Sequence, residues 1–502
     1  MIQRLMDEQA PPPVPPAPPA LPAPPGTAVW RVWHTPELAI EILSYLVRER
    51  IDLITFSTVS KHLRAVALPL LVRNLDVPLT KAPLHINFFE ANPRMADCIA
   101  HLRIWDDDAD SHTWPRHDQV KLRTWNDDHA PKPDHWWSQI SHLLGIILSN
   151  RTKEPLPSMD ISVGILTIAD FAETLHLYDK IVPRIVAFRI LAPPDSWLTR
   201  RSRPIFFERY VKWSEAQWHL IALTVAIICK TSSEAHLPSA LRLFHIDNDE
   251  GKDWAWIMRR DSAETLGRAL SATVENLAIR MYCKVDDGSS QVSTLLERDW
   301  PHLRSFEFKH QSEEGDGARL QAVLDRFLTR HPLLEDVGAS NTDGMGNDIT
   351  RGPIPQMFPN LRVCRIHKAS TDHLHTFLAR HFETITDLTV IELPYFLHPS
   401  GMLPKLRFPK LRILRAASSV AATLVRQGAR IQHYQFEEFI HLDNFRFSQW
   451  LCPDRAAAEA VTCFDIKLKF PLQLKYFDDV TSVLHVTALP NLTELVFSSD
   501  LD

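Results

Sequence analysis

The stretch "FPNLRVCRI" (residues 358–366) contains the pattern that decides the fold. Its leucine is followed by an apolar residue three positions later and by another two positions after that, which is typical of a strand with one buried face. Proline cannot donate a hydrogen bond to a strand ladder, and here it stands just ahead of the predicted strand. The same hexamer pattern, L-x-x-φ-x-φ with φ apolar, recurs along most of the chain.

Hexamers of this kind begin at residues 99, 156, 185, 241, 274, 303, 334, 361, 385, 411, 431, 461 and 492. Most successive starts are 20–33 residues apart, and leucine-rich repeats are about 20–29 residues long. The two gaps of 57 and 56 residues are each about two repeats long, so each contains a degenerate repeat or an insertion. Helical stretches such as "GARLQAVLDRFLTRH" (317–331) lie between the hexamers. The sequence therefore predicts an α/β solenoid with parallel strands on a concave face and helices outside.

The composition narrows the class of protein further. The chain has 502 residues and a formal net charge of -6, so nothing favours binding to nucleic acid or to an anionic membrane. Six scattered cysteines indicate reduced thiols and a cytoplasmic and/or nuclear protein. Glycine is scarce, at 14 residues, and no phosphate-binding loop, nucleophile elbow or zinc-protease motif occurs. We therefore expect that the protein is not an enzyme and that it binds no cofactor and no metal ion.

The N-terminus is rich in proline. Residues 10–26, "APPPVPPAPPALPAPPG", predict a polyproline II segment within a disordered N-terminus, residues 1–27. It contains PxxP, the motif that SH3 and WW grooves bind, but such runs also serve as plain spacers.

Residues 34–77 predict three short helices, the first in "PELAIEILSYLV" (36–47). That helix is apolar on most of its circumference, so it requires a buried environment. About forty residues this rich in leucine, isoleucine, valine and phenylalanine cannot bury them all among themselves. The surplus apolar face is expected to contact another protein.

The same residues resemble an F-box. The resemblance rests on the order Pro36-Glu37-Leu38, Ile42-Leu43, Leu46, Asp52-Leu53, Phe56-Ser57, Val59-Ser60-Lys61 and Arg64. It departs from the family pattern at Thr35, Ser60 and Leu63. In that family a trihelical motif docks on the Skp1 adaptor of a cullin-RING ubiquitin ligase. The residues that the resemblance assigns to adaptor binding are Pro36, Leu38, Ile42, Leu43, Leu46, Leu53 and Val59.

The resemblance implies an F-box-like domain at 28–80 and a leucine-rich-repeat-like domain at 81–502. The repeats resemble the irregular, ribonuclease-inhibitor-like arrays that often follow an F-box. The implied function is the substrate-recognition subunit of a Skp1-cullin-F-box type E3 ubiquitin ligase. The alternative is a scaffold outside any ligase, which binds proteins through the solenoid and the proline-rich segment.

The fifth hexamer position holds the candidate target-binding residues, because it should face away from the core. They are Arg189, His245, Arg365 and Arg415, with Arg103 and Glu307 at the same position. Arginine rows suit acidic or phosphorylated segments of a target. The alternative is a mixed charged surface that keeps the array in solution.

The segment "WDDDADSHTWPRHDQVKLRTWNDDHAPKPDHWW" (105–137) combines histidines, aspartates and tryptophans. Its spacings match neither a zinc site nor a calcium loop. It predicts a solvated insertion between a strand and its helix, and its place beside the first repeat also allows it to contact a partner.

Overall fold

The computed structural model describes residues 35–45, 50–107, 136–165, 167–191, 204–234, 241–247, 258–282, 291–311, 317–341, 358–367, 371–391, 407–416, 418–436, 455–468 and 489–499. The predicted proline-rich N-terminus, Leu46 and residues 108–135 of the acidic insertion lie outside them. Within the described part of the chain, helices lie between most of the successive strands from residue 74 onward.

Three helices come first in the chain, and strands with intervening helices follow. The helices are α1 Pro36–Tyr45, α2 Arg50–Val59, α3 Lys61–Arg73, α4 Ala82–Ala91, α5 Trp136–Asn150, α6 Ile168–Leu177, α7 Pro204–Glu234, α8 Arg260–Ser271, α9 Gln291–Leu296, α10 Gly317–Arg330, α11 Thr371–His381, α12 Ser418–Arg426 and α13 Arg455–Ala460. The strands are β1 Asn74–Pro78, β2 His101–Trp105, β3 Ser158–Gly164, β4 Ile185–Leu191, β5 Leu243–Asp247, β6 Asn276–Tyr282, β7 Ser305–Gln311, β8 Asp336–Asn341, β9 Val363–His367, β10 Asp387–Ile391, β11 Ile413–Ala416, β12 His433–Phe436, β13 Cys463–Leu468 and β14 Glu494–Ser499.

The first compact unit, Met1–Phe244, joins the three N-terminal helices to a parallel sheet. Strands β1 to β4 pair side by side in chain order, and every pair is parallel. Parallel neighbours need a long crossover connection, which a helix usually provides. α5 lies in the crossover from β2 to β3, and α6 lies in the one from β3 to β4.

The second unit, His245–Asp502, contains β6 to β14, and each of these strands pairs in parallel with the next one in the chain. Helices α9 to α13 lie in five of the crossovers. β5 begins in the first unit and ends in the second. The predicted α/β class with parallel strands is confirmed, because parallel pairing and intervening helices are both observed.

Each of the hexamers read from the sequence lies on one of the strands β2 to β14. In the second unit the fourth hexamer position forms a continuous buried row across the sheet. Its members are Leu277, Phe306, Val337, Cys364, Leu388, Leu414, Tyr434 and Phe464. Fully burying one such side chain stabilises the fold by roughly 1.5–3 kcal/mol, so the row is a large part of the core.

Two residues of the N-terminal helices lie inside helical turns where their type is unusual. Asp52 lies in the first turn of α2, which begins at Arg50. Pro69 lies inside α3, which continues through it. A proline inside a helix costs about 3 kcal/mol. Here the buried Leu71 and Val72 hold the last turn of α3 in place.

The N-terminal helices continue directly into the first strand. α3 ends at Arg73, and β1 begins at the next residue. The backbone N–H of Ala100 donates to the Arg73 carbonyl oxygen at 2.8 Å, which ties the end of α3 to the start of β2. The helices and the first strands therefore form one compact unit.

Candidate protein-interaction surfaces

α1, α2 and α3 pack around a small apolar cluster. The cluster consists of Ala39, Leu43, Leu53, Val66, Ala67 and Leu71. Ala39 and Leu43 are one helical turn apart, so a single narrow stripe of α1 is buried. Leu38, Ile40 and Ile42 are 48%, 45% and 38% exposed. α1 thus presents three large aliphatic side chains to solvent.

The residues that the F-box resemblance assigns to adaptor binding fall into two groups. Leu38, Ile42 and Val59 are exposed, Val59 by 68%. Leu43 and Leu53 are instead buried in the helical cluster, so they hold the helices together and cannot touch a partner while the helices stay packed. Pro36 is the first residue of α1, and Leu46 lies outside the described residues.

The corner between α2 and α3 is held by two hydrogen bonds. The Ser60 hydroxyl accepts from the Leu63 backbone N–H at 3.1 Å and caps α3. Arg64 Nε donates to the Ser57 carbonyl oxygen at 3.1 Å, which links α3 back to α2. Because the corner is fixed on both sides, the exposed Val59 keeps a defined position at the end of α2.

The fifth hexamer position forms a row on the polar face of the second unit's sheet. In register, the row runs Glu307, Gly338, Arg365, Thr389 and Arg415. Arg365 and Arg415 therefore flank Thr389 on adjacent strands, as alternation along the strands predicts.

Arg365 belongs to a chain of ion pairs on this face. Its guanidinium lies 2.9 Å from Asp336 Oδ2 and 3.6 Å from Glu307 Oε2. Arg280 lies 2.8 Å from the same Glu307 and 3.5 Å from Asp247. Charges of opposite sign thus alternate through Asp247, Arg280, Glu307, Arg365 and Asp336, and Arg365 is already neutralised by its own neighbours.

Asp336 is the most constrained member of this chain. Burial raises the pKa of its carboxyl above the ordinary value, although the charge of Arg365 and the hydroxyl of Ser305 act in the opposite direction. Ser305 Oγ donates to Asp336 Oδ2 at 3.1 Å, whereas Oδ1 is buried without a hydrogen-bond partner in the described structure. Removing the positive charge of Arg365 would therefore leave a poorly solvated carboxylate.

Gly338 lets the side chains of Glu307 and Arg365 meet across the strand between them. A Cβ atom on Gly338 would lie 3.2 Å from Glu307 Cγ and 3.3 Å from Arg365 Cβ. Both distances are tighter than ordinary van der Waals contact. The absence of a side chain at this one row position is what makes room for the ion pairs.

The other predicted target-binding residues are placed separately. His245 Nε2 is hydrogen-bonded to Asn276 Oδ1 at 3.0 Å. Arg189 lies in the first unit, in register with Ser162, and is half-buried. Of the predicted arginine row, Arg365 and Arg415 lie in the second unit, whereas Arg189 belongs to the first unit.

Arg189 lies near a polar cluster around Asp160 in the first unit. Burial acts to raise the pKa of Asp160, but the hydrogen bond and charge of His101, together with Arg189 and Arg103, lower it. His101 Nε2 lies 3.5 Å from Asp160 Oδ2, and its Nδ1 lies 2.8 Å from Ser158 Oγ. The guanidinium of Arg103 lies 5.8 Å from the centre of the Trp105 ring. The carboxylate of Asp160 is therefore stabilised by several neighbouring groups, His101, Arg189 and Arg103.

The first aspartates of the acidic insertion have structural roles. Asp106 is buried, and its Oδ2 accepts hydrogen bonds from Thr167 Oγ1 at 2.8 Å and from the Gly164 N–H at 3.2 Å. Asp107 accepts from both the N–H and the hydroxyl of Thr80. These two carboxylates anchor the loop that leaves β2, and the rest of the insertion up to residue 135 lies outside the described residues.

The second hexamer position carries exposed cations that were not among the predicted target-binding residues. Arg304, Arg362 and Arg412 all occupy this position, just before a strand, and all are exposed. The recurring "LR" of "LRSFEF", "LRVCRI" and "LRILRA" was the available signal. Side-chain alternation along a strand predicts only that the fifth position faces outward, and the second position precedes the strand.

The helical stretches 327–331 and 377–381 share the pattern Phe-Leu-x-Arg-His, and both histidines are buried. His331 Nδ1 donates to the Phe327 carbonyl oxygen at 2.7 Å, and its Nε2 accepts from the Trp300 N–H at 2.9 Å. His381 packs against Phe358 and Phe377, and its Nε2 has no hydrogen-bond partner in the described structure. Burial lowers the pKa of both imidazoles, that of His381 to about 4. These residues support the fold.

No family model and no curated protein matches the chain. Among the described residues, no group of three or more histidine, cysteine, aspartate or glutamate side chains is arranged to hold a metal ion. None of the described helices is long and apolar enough to cross a membrane.

Proposed function

We propose that this protein is the substrate-recognition subunit of a Skp1-cullin-F-box type E3 ubiquitin ligase. The observation that carries the proposal is the exposure of four large aliphatic side chains on α1 and α2, those of Leu38, Ile40, Ile42 and Val59. Large aliphatic side chains exposed on a short helical motif favour a protein contact. The F-box resemblance of the same residues makes a Skp1-like adaptor the expected partner.

The packing of the three helices supports this proposal in a second way. Leu43 and Leu53 stabilise the helices from inside, while Leu38, Ile42 and Val59 stay outside. A partner could therefore bind without unfolding the cluster. The cost of exposing these side chains in the free protein would be offset when the adaptor covers them.

The remainder of the chain supports target recognition. Parallel strands follow one another in chain order from β6 to β14, with described helices in five of the connections, and this order is compatible with a leucine-rich-repeat-like solenoid. Arrays of this kind display long surfaces to which side chains of many repeats contribute. Ubiquitin transfer would be performed by other subunits, which this subunit brings close to the target.

Adaptor binding is tested with the double variant Leu38→Ala and Ile42→Ala. Both side chains are exposed, so the variant should fold normally but lose most of its binding to a Skp1-like adaptor. We expect the dissociation constant to rise at least about tenfold, because two apolar anchors are lost. Leu177→Ala is the matched control, since Leu177 is 69% exposed on α6, away from the helical motif.

Purified full-length variants are compared by pull-down and by calorimetry with the adaptor, and their folding is checked by circular dichroism. Unchanged adaptor binding by the folded double variant would show that α1 is not the docking helix. A wild-type protein that does not bind the adaptor at all would favour the alternative of a scaffold outside any ligase, acting through the repeats and the proline-rich segment.

A further inference from the structure

A group of exposed cations marks the start of strands β9 to β12. This group, termed the basic strip, consists of Arg362, Arg407, Lys410, Arg412 and Arg430. None of the five side chains has a hydrogen bond or an ion pair within the described part of the chain. They differ in this respect from Arg365 and Arg280 on the sheet face, which are held by carboxylates.

Backbone hydrogen bonds fix the spacing of the basic strip. The Thr386 N–H donates to the Arg362 carbonyl oxygen at 2.8 Å, and the Arg412 N–H donates to the Thr386 carbonyl oxygen at 2.7 Å. Arg362 and Arg412 are therefore two strand spacings apart, about 10 Å. Lys410 and Arg430 each precede their strand by three residues, so they are neighbours about 5 Å apart.

The charge balance changes along this edge of the sheet. At the earlier strand starts, Arg304 pairs with Glu335 at 3.0 Å, so positive and negative groups compensate each other. The turns before β9 to β12, residues 358–362, 382–386, 407–412 and 427–432, contain five cations and one carboxylate, that of Glu383. These turns therefore carry an excess of positive charge.

A shallow cleft lies beside the basic strip, at the starts of β7 to β9. It is lined by Pro301, His302, Leu303, Leu333 and Asn360, by the paired Arg304 and Glu335, and by Glu275. The carboxylates leave the apolar contact, and not the charged one, to this cleft. Leu333 is 61% exposed, so the cleft offers an apolar contact to a ligand. Leu333 and Lys410 occupy the same position before β8 and β11, three strands apart, or about 14 Å.

We propose that the basic strip and this cleft together bind an extended acidic segment of a target protein. The inference rests on the proposed function and adds the chemistry of the target. Carboxylate or phosphate groups pair with Lys410, Arg412 and their neighbours, and an apolar side chain of the target packs on Leu333. At about 3.3 Å per extended residue, the apolar and acidic groups are about four residues apart in the target.

The surface favours a peptide over a nucleic acid. Single-stranded nucleic acids bind through bases that stack on exposed aromatic rings beside a cationic groove. Phe358 and Phe408, the aromatic residues that precede the prolines of these turns, are fully buried. What the edge presents beside its cations is the aliphatic side chain of Leu333, which suits an apolar side chain.

The test measures binding of a fluorescent peptide to the full-length protein by anisotropy. The peptide is about twelve residues long and has one leucine followed four residues later by three glutamates. We expect Lys410→Glu with Arg412→Glu to weaken binding at least about tenfold, and replacement of the peptide's leucine by serine to weaken it several-fold. A phosphoserine version of the peptide distinguishes phosphate from carboxylate as the preferred anion.

The matched control is Arg268→Glu with Arg326→Glu, which makes the same charge change at exposed positions of α8 and α10. We expect it to change binding less than about twofold. Equal weakening by both double variants, or no binding by the wild type, would overturn the proposal. So would tighter binding of a single-stranded oligonucleotide through Lys410 and Arg412. Adaptor binding is measured on the same proteins, so a failure here is distinguishable from a failure of the proposed function.

Discussion

The sheet face and the strand-start edge of the second unit both carry arginine, but the two regions use it differently. On the face, Arg365 lies between Asp336 and Glu307 and is held by both. At the edge, Arg412 is exposed and has no partner among the described residues. The type of residue at a repeat position does not by itself identify a binding surface. An arginine is available for binding only if carboxylates of the neighbouring repeats do not already neutralise its charge.

The largest effect that separates the two regions should come from removing one arginine from each. Arg365→Ala leaves Asp336 and Glu307 without their shared cation, so it should lower the free energy of unfolding by about 2 kcal/mol. Arg412→Ala removes an exposed side chain and should change it by less than about 0.5 kcal/mol. Urea denaturation of the full chain, compared at the transition midpoint, measures both. Equal losses would mean that the face and the edge do not differ in the way described.

Acid should weaken the support beneath the strand-start edge. The pKa of His381 is lowered to about 4 by burial, so the folded protein resists its protonation while the unfolded chain, with an ordinary pKa near 6.5, does not. This stabilising effect of a neutral imidazole is complete above about pH 6.5 and is lost as the pH falls toward 4. At pH 5 the loss amounts to about 2 kcal/mol.

His381→Phe should remove that part of the pH dependence, since phenylalanine does not titrate. His302→Phe, at an exposed turn position, is the control and should keep the wild-type dependence. Melting temperatures of the three proteins between pH 5 and pH 7.5 give the comparison. A His381→Phe protein with the wild-type slope would show that this imidazole does not contribute to acid sensitivity.

A smaller effect should come from filling the space that lets the charges on the sheet face meet. In Gly338→Ala the new Cβ approaches both Glu307 and Arg365, so the ion pairs must shift and the free energy of unfolding should fall by about 1 kcal/mol. Thr389→Ala, on the other side of Arg365 in the same row, is the control and should cost less than about 0.5 kcal/mol. If both variants cost the same amount, the room at Gly338 is not what permits the pairing.

The sequence was sufficient to predict the strands β2 to β14, but not β1, part of which falls in the stretch 34–77 that predicts helices. Hexamers such as "LRSFEF" alternate buried and polar residues, and Phe306 and Phe308 are both buried. Their recurrence also predicted parallel pairing in chain order, because a strand and its helix form one repeated unit. The apolar pattern of residues 36–47 predicted that α1 would need a partner as well. The buried stripe of Ala39 and Leu43 is narrower than that pattern suggested.

The pairing of charges could not be predicted, because it depends on which side chains come to lie opposite one another. Glu307 and Arg365 are two strands apart, and they meet because the residue between them is Gly338. In the same way, Arg304 is paired because Glu335 lies in the neighbouring turn. Arg412, at the same hexamer position, has no such pair among the described residues. A hexamer taken alone contains neither piece of information.

The order of the strands has a consequence for how the second unit would respond to mechanical force. Each strand from β7 to β13 pairs with the strand before it and the strand after it in the chain. Tension applied at the C-terminal end should therefore peel off one strand and its helix at a time, starting at β14, and lengthen the chain in small successive steps. On release, each remaining strand is a ready template for the next, so the unit should re-form by zipping from the intact end.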